Sequence, residues 1–210
     1  MTDRRRQRRL AIAAAAIALM LAAACTATDN DSPPPTGGAA SGSPAPTNGT
    51  TPVDSQPFGA QCPNLPDTGD GSLVDLKNRD WVDALAQVPA LSQLSVTTAL
   101  AALGSDFSGL QEATVFAPTD TAFRALGVTR GRELLTNPSA AADVLRYHVV
   151  PERLTPDNLA GEHRTLNGQT LEVSGSGEDF TVNGRAKISC GNLQTRNATI
   201  YLVDQVLQPS

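Results

Sequence analysis

Residues 114–126, with the sequence TVFAPTDTAFRAL, constrain the fold of this chain more than any other stretch. The first three are strong strand formers, and Pro118 ends the strand. Thr119 or Asp120 then offers a side-chain oxygen that can cap the free N–H groups of a helix, whose apolar residues follow at a spacing of three. The stretch therefore predicts a buried strand that turns sharply into a helix.

The sequence after residue 160 is typical of antiparallel strands. Asn167-Gly168 and Asn183-Gly184 are each flanked by apolar residues, which is the strongest short signal for a hairpin. Residues 200–207 are apolar on both faces, as expected of a central strand. Tyr147 begins a further strand-like run that ends at residue 150.

The sequence before residue 114 instead shows helical periodicity. Apolar residues recur at this spacing over residues 73–88, and Pro89 suits the first turn of a second helix, which we expect Gly104 to end. Short helices are also predicted at residues 130–135 and 139–146. Helices first and strands later favour an α+β domain over a doubly wound sheet.

Three of these segments resemble the fasciclin family. Residues 114–126 are similar to its first signature block, residues 198–209 to its closing strand, and Tyr147-His148 to the Tyr-His element between them. The resemblance implies one β-wedge of about seven strands with several helices packed against it, over residues 58–210. The positions of Cys62 and Cys190 and the residues at 197–201 are similar to the secreted and lipidated mycobacterial immunogenic surface proteins, which have one fasciclin domain.

The N-terminus resembles a bacterial lipoprotein signal. Five arginines precede an apolar run at residues 10–21, which is too short to span a membrane comfortably. Residues 21–25, LAAAC, resemble a lipobox, in which Cys25 would be lipidated after removal of residues 1–24. The alternative is an ordinary secretory signal, with Cys25 incidental. We expect export, with lipid anchoring at the outer face of the bacterial cell membrane.

Residues 25–57 are expected to be a tether. They are rich in Thr, Ser, Pro and Gly, a composition that cannot bury enough apolar surface to fold. Such a segment would reach roughly 30 Å as a flexible coil and about 100 Å when extended. It would hold the following domain away from the membrane.

The charge of the chain argues against a nucleic-acid partner. Without residues 1–24 the chain has 11 basic and 20 acidic residues, a net charge of −9, and no basic run. A polybasic membrane contact is excluded for the same reason, so contact with the membrane would depend on the lipid.

Cys62 and Cys190 form an even pair once Cys25 is assigned to the lipid. In an oxidising compartment such a pair favours a disulfide, and two free buried thiols are the alternative. The chain has no CxxC motif or Cys/His cluster of the kind that binds zinc.

No catalytic motif is present in the sequence: it lacks the GxSxG elbow, the HExxH helix, the P-loop and GxGxxG. Asp157, Glu162 and His163 lie close together and could ligate a metal, although a solvated loop is the favoured interpretation. We therefore expect no enzyme activity, no cofactor and no bound metal.

The fasciclin resemblance suggests three candidate adhesion residues. In the family the element matched by Tyr147 and His148 is discussed in adhesion through integrins, whereas a buried scaffold pair is the structural alternative. Asp120 would be either an exposed recognition carboxylate or, as we favour, a helix cap. Animal adhesive domains often have an Asp-Ile pair before the last strand, but this chain has Lys187-Ile188. An integrin mechanism is therefore not carried over.

Two functions fit these observations. The first is a surface module for adhesion or for interaction with a protein or glycan, without catalysis. The second is an envelope carrier for a small lipid or sugar. An apolar patch or a cleft on the domain would discriminate between them.

Overall fold

The computed structural model describes residues 56–209. The expected signal peptide at residues 1–24, the lipidation of Cys25 and most of the expected tether lie outside the described residues. The described part is an α+β domain, as the sequence predicts.

The α-helices lie between residues 73 and 147. They are α1 (Leu73–Leu76), α2 (Trp81–Gln87), α3 (Ser92–Leu100), α4 (Gly104–Ser108), α5 (Asp120–Ala125), α6 (Gly127–Thr136) and α7 (Pro138–Tyr147). Local signals explain several of their starts. Ser72 caps α1, Thr119 caps α5 and Asn137 caps α7, each by accepting a bond from the backbone N–H three residues on.

The strands form one seven-stranded sheet. They are β1 (Ala113–Pro118), β2 (Val149–Val150), β3 (Gly161–Arg164), β4 (Thr170–Ser176), β5 (Asp179–Val182), β6 (Ala186–Gln194) and β7 (Ala198–Val203). Their order is β2-β1-β7-β6-β5-β4-β3. The β1–β7 pair is parallel and all the others are antiparallel.

The two signature strands β1 and β7 lie side by side and are buried on both faces. Val115 and Ile200 are register partners that face the helices, whereas Phe116 and Tyr201, one residue on, face the other way. There they pack with apolar residues of β4 and β5, so the second half of the sheet curls over the first. This arrangement is the β-wedge that the fasciclin resemblance implies.

The Asn-Gly turns lie where the sequence predicts them. Asn183 and Gly184 both have positive φ, as the tight β5–β6 hairpin requires. Asn167 and Gly168 lie between β3 and β4, although residues 165 and 166 belong to the turn and not to the strand.

The structure corrects three predictions about helix and strand ends. Tyr147 is the last residue of α7 and His148 caps that helix, so only Val149–Val150 is a strand. Gly104 begins the short helix α4 instead of ending α3, which stops where Ala102 adopts a positive φ of 54°. The helix predicted at residues 130–135 begins earlier, at Gly127.

A disulfide joins Cys62 to Cys190 across 128 residues of sequence, with the two Cα atoms 4.9 Å apart. It ties the turn after Phe58 to the centre of β6. Phe58 also forms a β-bridge with Gly191. A side chain at position 191 would not fit, because the Phe58 ring lies against this glycine. The first described residues are thus fixed to the sheet.

Candidate functional site

An open groove of about 650 Å³ lies between α5 and α6, beside the first turn of α3. We call it the α5–α6 trough. The residues that line it include Phe123, Arg124, Val128, Gly131, Arg132 and Leu135, with Asp120 at its edge. Three of these residues are apolar and two are cationic. The trough therefore combines an apolar floor with positive charge at the surface.

The contact that holds the trough together corrects a prediction. Thr119 is the cap of α5, and the carboxylate of Asp120 points instead to the first turn of α3. There it accepts bonds from Ser92 Oγ at 2.6 Å and from the backbone N–H of Gln93 at 2.8 Å. Asp120 therefore caps the neighbouring helix, and this contact fixes α3 against α5.

The apolar side chains of the trough are unusually open to solvent. Val128 is 78% exposed and Leu135 is 41% exposed, while Phe123 lies beneath them at 9%. Of the six large hydrophobic side chains exposed in the described region, four lie on α3 and α6. Their clustering on adjacent helices distinguishes this surface from scattered apolar residues.

Sequence reasoning missed this trough. A usable signal was present, since Val128 and Leu135 are seven residues apart and so lie on one side of a helix that also contains Gly131. The helix predicted at residues 130–135 begins after Val128 and so does not include it. The packing of α5 against α6 then depends on residues that are distant in sequence.

Tyr147 and His148 are placed together but are both buried. His148 is 2% exposed, with Nδ1 at 2.7 Å from the carbonyl of Val144 and Nε2 accepting the backbone N–H of Leu207 at 3.0 Å. Burial lowers the pKa of His148 to about 4, although the bond to Val144 acts in the opposite direction. His148 is thus a neutral side chain that joins α7 to the segment after β7.

A second groove, of about 660 Å³, is lined mainly by polar groups and includes Tyr147. The Tyr147 hydroxyl accepts from Asn183 Nδ2 at 2.9 Å and donates to the carbonyl of Thr170 at 3.3 Å. Glu162 and Glu172 lie directly opposite each other on β3 and β4 and also line this groove. Its character is polar and acidic, in contrast to the trough.

The remaining sequence candidates are separated by the fold. Glu162 and His163 are adjacent on the edge strand β3, where successive side chains point to opposite faces. The His163 ring lies 2.8 Å from the carbonyl of Leu159. Across residues 56–209 no group of three His, Cys, Asp or Glu side chains is placed to hold a metal ion. In the same region no helix has the length and apolar character needed to cross a membrane.

A family model described as Fasciclin domain matches residues 88–209, which include every strand and the whole trough. The immunogenic protein MPB70 of Mycobacterium bovis is 44% identical over 96 residues, 46% of this chain and 49% of that protein. The cell surface glycolipoprotein MPB83 of the same species is 36% identical over 148 residues, 68% of this chain and 66% of that protein. The chain thus spans about half the length of MPB70.

More distant similarity extends to animal proteins. Human periostin is 29% identical over 134 residues, which cover 62% of this chain and 16% of periostin. A solved FAS1 domain pair from the insect cell adhesion molecule Fasciclin I superposes with a TM-score of 0.56 at 13% identity, over 64% of this chain and 52% of that one. At this identity the likeness to the insect protein concerns the fold alone.

Proposed function

This chain belongs to the fasciclin domain family, and we propose that it is a cell-surface lipoprotein whose domain mediates adhesion to a protein or glycan, without catalysis. The observation that carries the proposal is the α5–α6 trough, where exposed apolar side chains and guanidinium groups share one open surface. Contiguous apolar patches exposed to solvent mark interaction sites or ligand-binding grooves. The similarity to a protein named a cell surface glycolipoprotein supports the same location.

The proposed anchor consists of the lipid on Cys25 and the tether that follows it. Together they would present the domain outside the cell membrane, with no membrane contact required of the domain itself. Replacing Cys25 by Ala tests this, because loss of the lipid should move the protein from the membrane fraction to the culture medium. Retention of Cys25→Ala in the membrane fraction would contradict the anchor.

The proposal gives no catalytic role to the two histidines, since each has a ring nitrogen bonded to a backbone carbonyl. Of the adhesion candidates, His148 is assigned to the scaffold by its burial. Tyr147 and Asp120 remain candidates for contact with a partner because each lines a groove. Tyr147 would act through its hydroxyl, and Asp120 through the edge of the trough.

Adhesion is tested by measuring the binding of the native protein, purified from its own membranes, to immobilised surface and matrix extracts. We expect saturable binding that does not require the acyl chains, so the Cys25→Ala protein should bind equally well. Only non-saturable binding to every extract would contradict the proposal.

The alternative is an envelope carrier for a small lipid or sugar. The apolar floor of the trough and its volume of about 650 Å³ favour it, because ligand pockets commonly have volumes of roughly 300–1,000 Å³. Native mass spectrometry of protein from its own cells would then show a co-purifying small molecule. A spectrum of the lipoprotein alone would leave adhesion as the better account.

A further inference from the structure

We propose that the α5–α6 trough binds an acidic amphipathic helix of a protein partner, with the partner's apolar ridge on the trough floor and its carboxylates on Arg124 and Arg132. This inference rests on the proposed adhesive function and specifies the chemistry of the partner.

The shape of α6 supports a helical ligand. Val128, Gly131 and Leu135 follow one another at spacings of three and four residues and line the same side of the helix. The distance from Val128 to Leu135 is about 10 Å along the axis, or two turns. Helices that bind in grooves use anchors at these same intervals, so their side chains would fit on either side of Gly131.

Gly131 is the second observation, and it is independent of the exposed side chains. A glycine inside a helix destabilises it by roughly 1 kcal/mol relative to alanine. Nothing within the domain requires this glycine: its φ is not positive, and an added Cβ would meet only the Phe123 carbonyl, at 4.0 Å. Its effect is to keep the floor of the trough low, which allows close approach by another backbone.

The charge of the trough selects an acidic ligand. Arg79, Arg130, Arg146 and Arg196 each form a salt bridge with a carboxylate. Among residues 56–209, neither Arg124 nor Arg132 lies within salt-bridge distance of one. The Asp120 carboxylate is already bonded to the first turn of α3. The Arg124 guanidinium donates one hydrogen bond to the Thr121 hydroxyl, at 2.9 Å, and neither it nor that of Arg132 is paired with a carboxylate of the described region. Both can therefore bind carboxylates, which guanidinium groups often hold bidentately.

A protein helix fits this surface better than an anionic membrane does. Residues 56–209 contain 17 acidic and 11 basic residues, so the domain as a whole would be repelled by an anionic bilayer. The two arginines are too few to reverse that repulsion, whereas a single acidic helix would meet only the trough. We therefore assign the site to a protein segment.

The test uses a labelled synthetic peptide of about 18 residues, long enough to form a helix, with leucines on one side and glutamates on both flanks. A control peptide has lysine in place of every glutamate. Both are titrated by fluorescence anisotropy into the full chain carrying Cys25→Ala. We expect saturable binding of the glutamate peptide, and binding of the lysine peptide at least about tenfold weaker.

Variants then locate the binding. Arg124→Glu with Arg132→Glu should lower the affinity for the glutamate peptide by about tenfold or more. Gly131→Leu should abolish binding, because the leucine side chain fills the floor of the trough. The charge-matched control, Arg164→Glu with Arg185→Glu, should leave the affinity within about twofold. Thermal unfolding of each variant checks that the domain remains folded. A bulky leucine at position 131 could disturb α6 without unfolding the domain. The result for the Arg124/Arg132 variant therefore decides whether the trough is the binding site.

Three results would overturn the inference: equal binding of both peptides, wild-type affinity in the Arg124/Arg132 variant, or trough-dependent binding of phosphatidylglycerol vesicles in place of the peptide. Failure of the adhesive function is distinguishable from these. It would appear as no saturable binding of the native protein to any extract, whatever the peptide does. Saturable extract binding that is unchanged in the Arg124/Arg132 variant would overturn the trough assignment and leave adhesion standing.

Discussion

Two segments that are neighbours in the chain use their polar residues in opposite ways. Where α7 meets β2, Tyr147 and His148 are buried, and hydrogen bonds join their polar atoms to α7 itself and to more distant parts of the domain. In α5 and α6, Arg124 and Arg132 stay at the surface beside exposed aliphatic side chains. His148 thus serves the fold, whereas the exposed surface suited to recognition is formed by α5, which belongs to the first signature block, and by α6, which follows that block.

The buried scaffold should depend most strongly on its disulfide. Replacing Cys62 and Cys190 by Ser opens a loop of 128 residues, which should lower the free energy of unfolding by about 5 kcal/mol in the chain-entropy model. Urea unfolding measures this effect, and the Cys25→Ala protein, which keeps the disulfide, is the control. An unchanged midpoint would mean that the bond adds nothing to a scaffold already fixed by Phe58 and β6.

The stability of the domain should also depend on pH through the buried His148. His148 is neutral in the folded domain with a pKa of about 4, whereas in the unfolded chain its pKa is near 6.5. The unfolded state therefore binds more protons between these values, so stability is full above about pH 6.5 and is lost as the pH falls toward 4. The loss attributable to His148 is about 3 kcal/mol.

Replacing His148 by Gln isolates this contribution, because glutamine removes the titration while keeping a polar side chain near the N–H of Leu207. Urea midpoints measured from pH 7 to pH 4 should fall less steeply in His148→Gln than in the wild type. Carboxylates contribute to both proteins, so the difference between the two slopes is the quantity of interest. Parallel slopes would show that His148 is not held in its neutral form.

A third scaffold contact should have a smaller effect. Asn197 is buried and connects three parts of the fold, since its Oδ1 accepts the N–H of Trp81 and its Nδ2 donates to the carbonyl of Leu110, both at 3.0 Å. Asn197→Ala leaves both backbone groups without this partner and should cost roughly 2 kcal/mol. The exposed Asn78→Ala, scored by the same chemical denaturation, should stay within about 0.5 kcal/mol. If the two variants lose the same free energy of unfolding, the hydrogen bonds of Asn197 do not stabilise the fold.

The sequence predicts the features that depend on local chemistry. The Asn183-Gly184 turn needs only the positive φ of its two residues, and the strand-to-helix corner needs only Pro118 and Thr119. Strand preference fails at Tyr147, because this residue is the last of α7 and its side chain is buried with Phe116 and Tyr201 on the other side of the sheet. Packing between elements overrides local propensity there.

The site is less predictable than the fold because its contacts are not local. Asp120 caps a helix whose first turn lies 28 residues earlier in the chain, so no pattern near Asp120 identifies its partner. The trough likewise exists only once α5 and α6 pack side by side. The sequence does contain a glycine within a helix, Gly131, and two aliphatic residues seven apart, Val128 and Leu135. These residues indicate a binding surface only once the structure shows that the two aliphatic side chains are exposed.

The smallest expected effect is also the sharpest test of the difference between the two segments. Gly131→Ala should raise the free energy of unfolding by roughly 0.5–1 kcal/mol, since alanine favours the helix and its Cβ would meet only the Phe123 carbonyl, at 4.0 Å. Gly191→Ala is the matched control, and it should destabilise the domain because its Cβ would lie 2.5 Å from the Phe58 ring. Differential scanning calorimetry resolves both shifts. If Gly131→Ala stabilises the domain, folding does not require this glycine. If Gly131→Ala destabilises the domain, Gly131 has a structural role, and the inference that it keeps the trough floor low for a ligand is wrong.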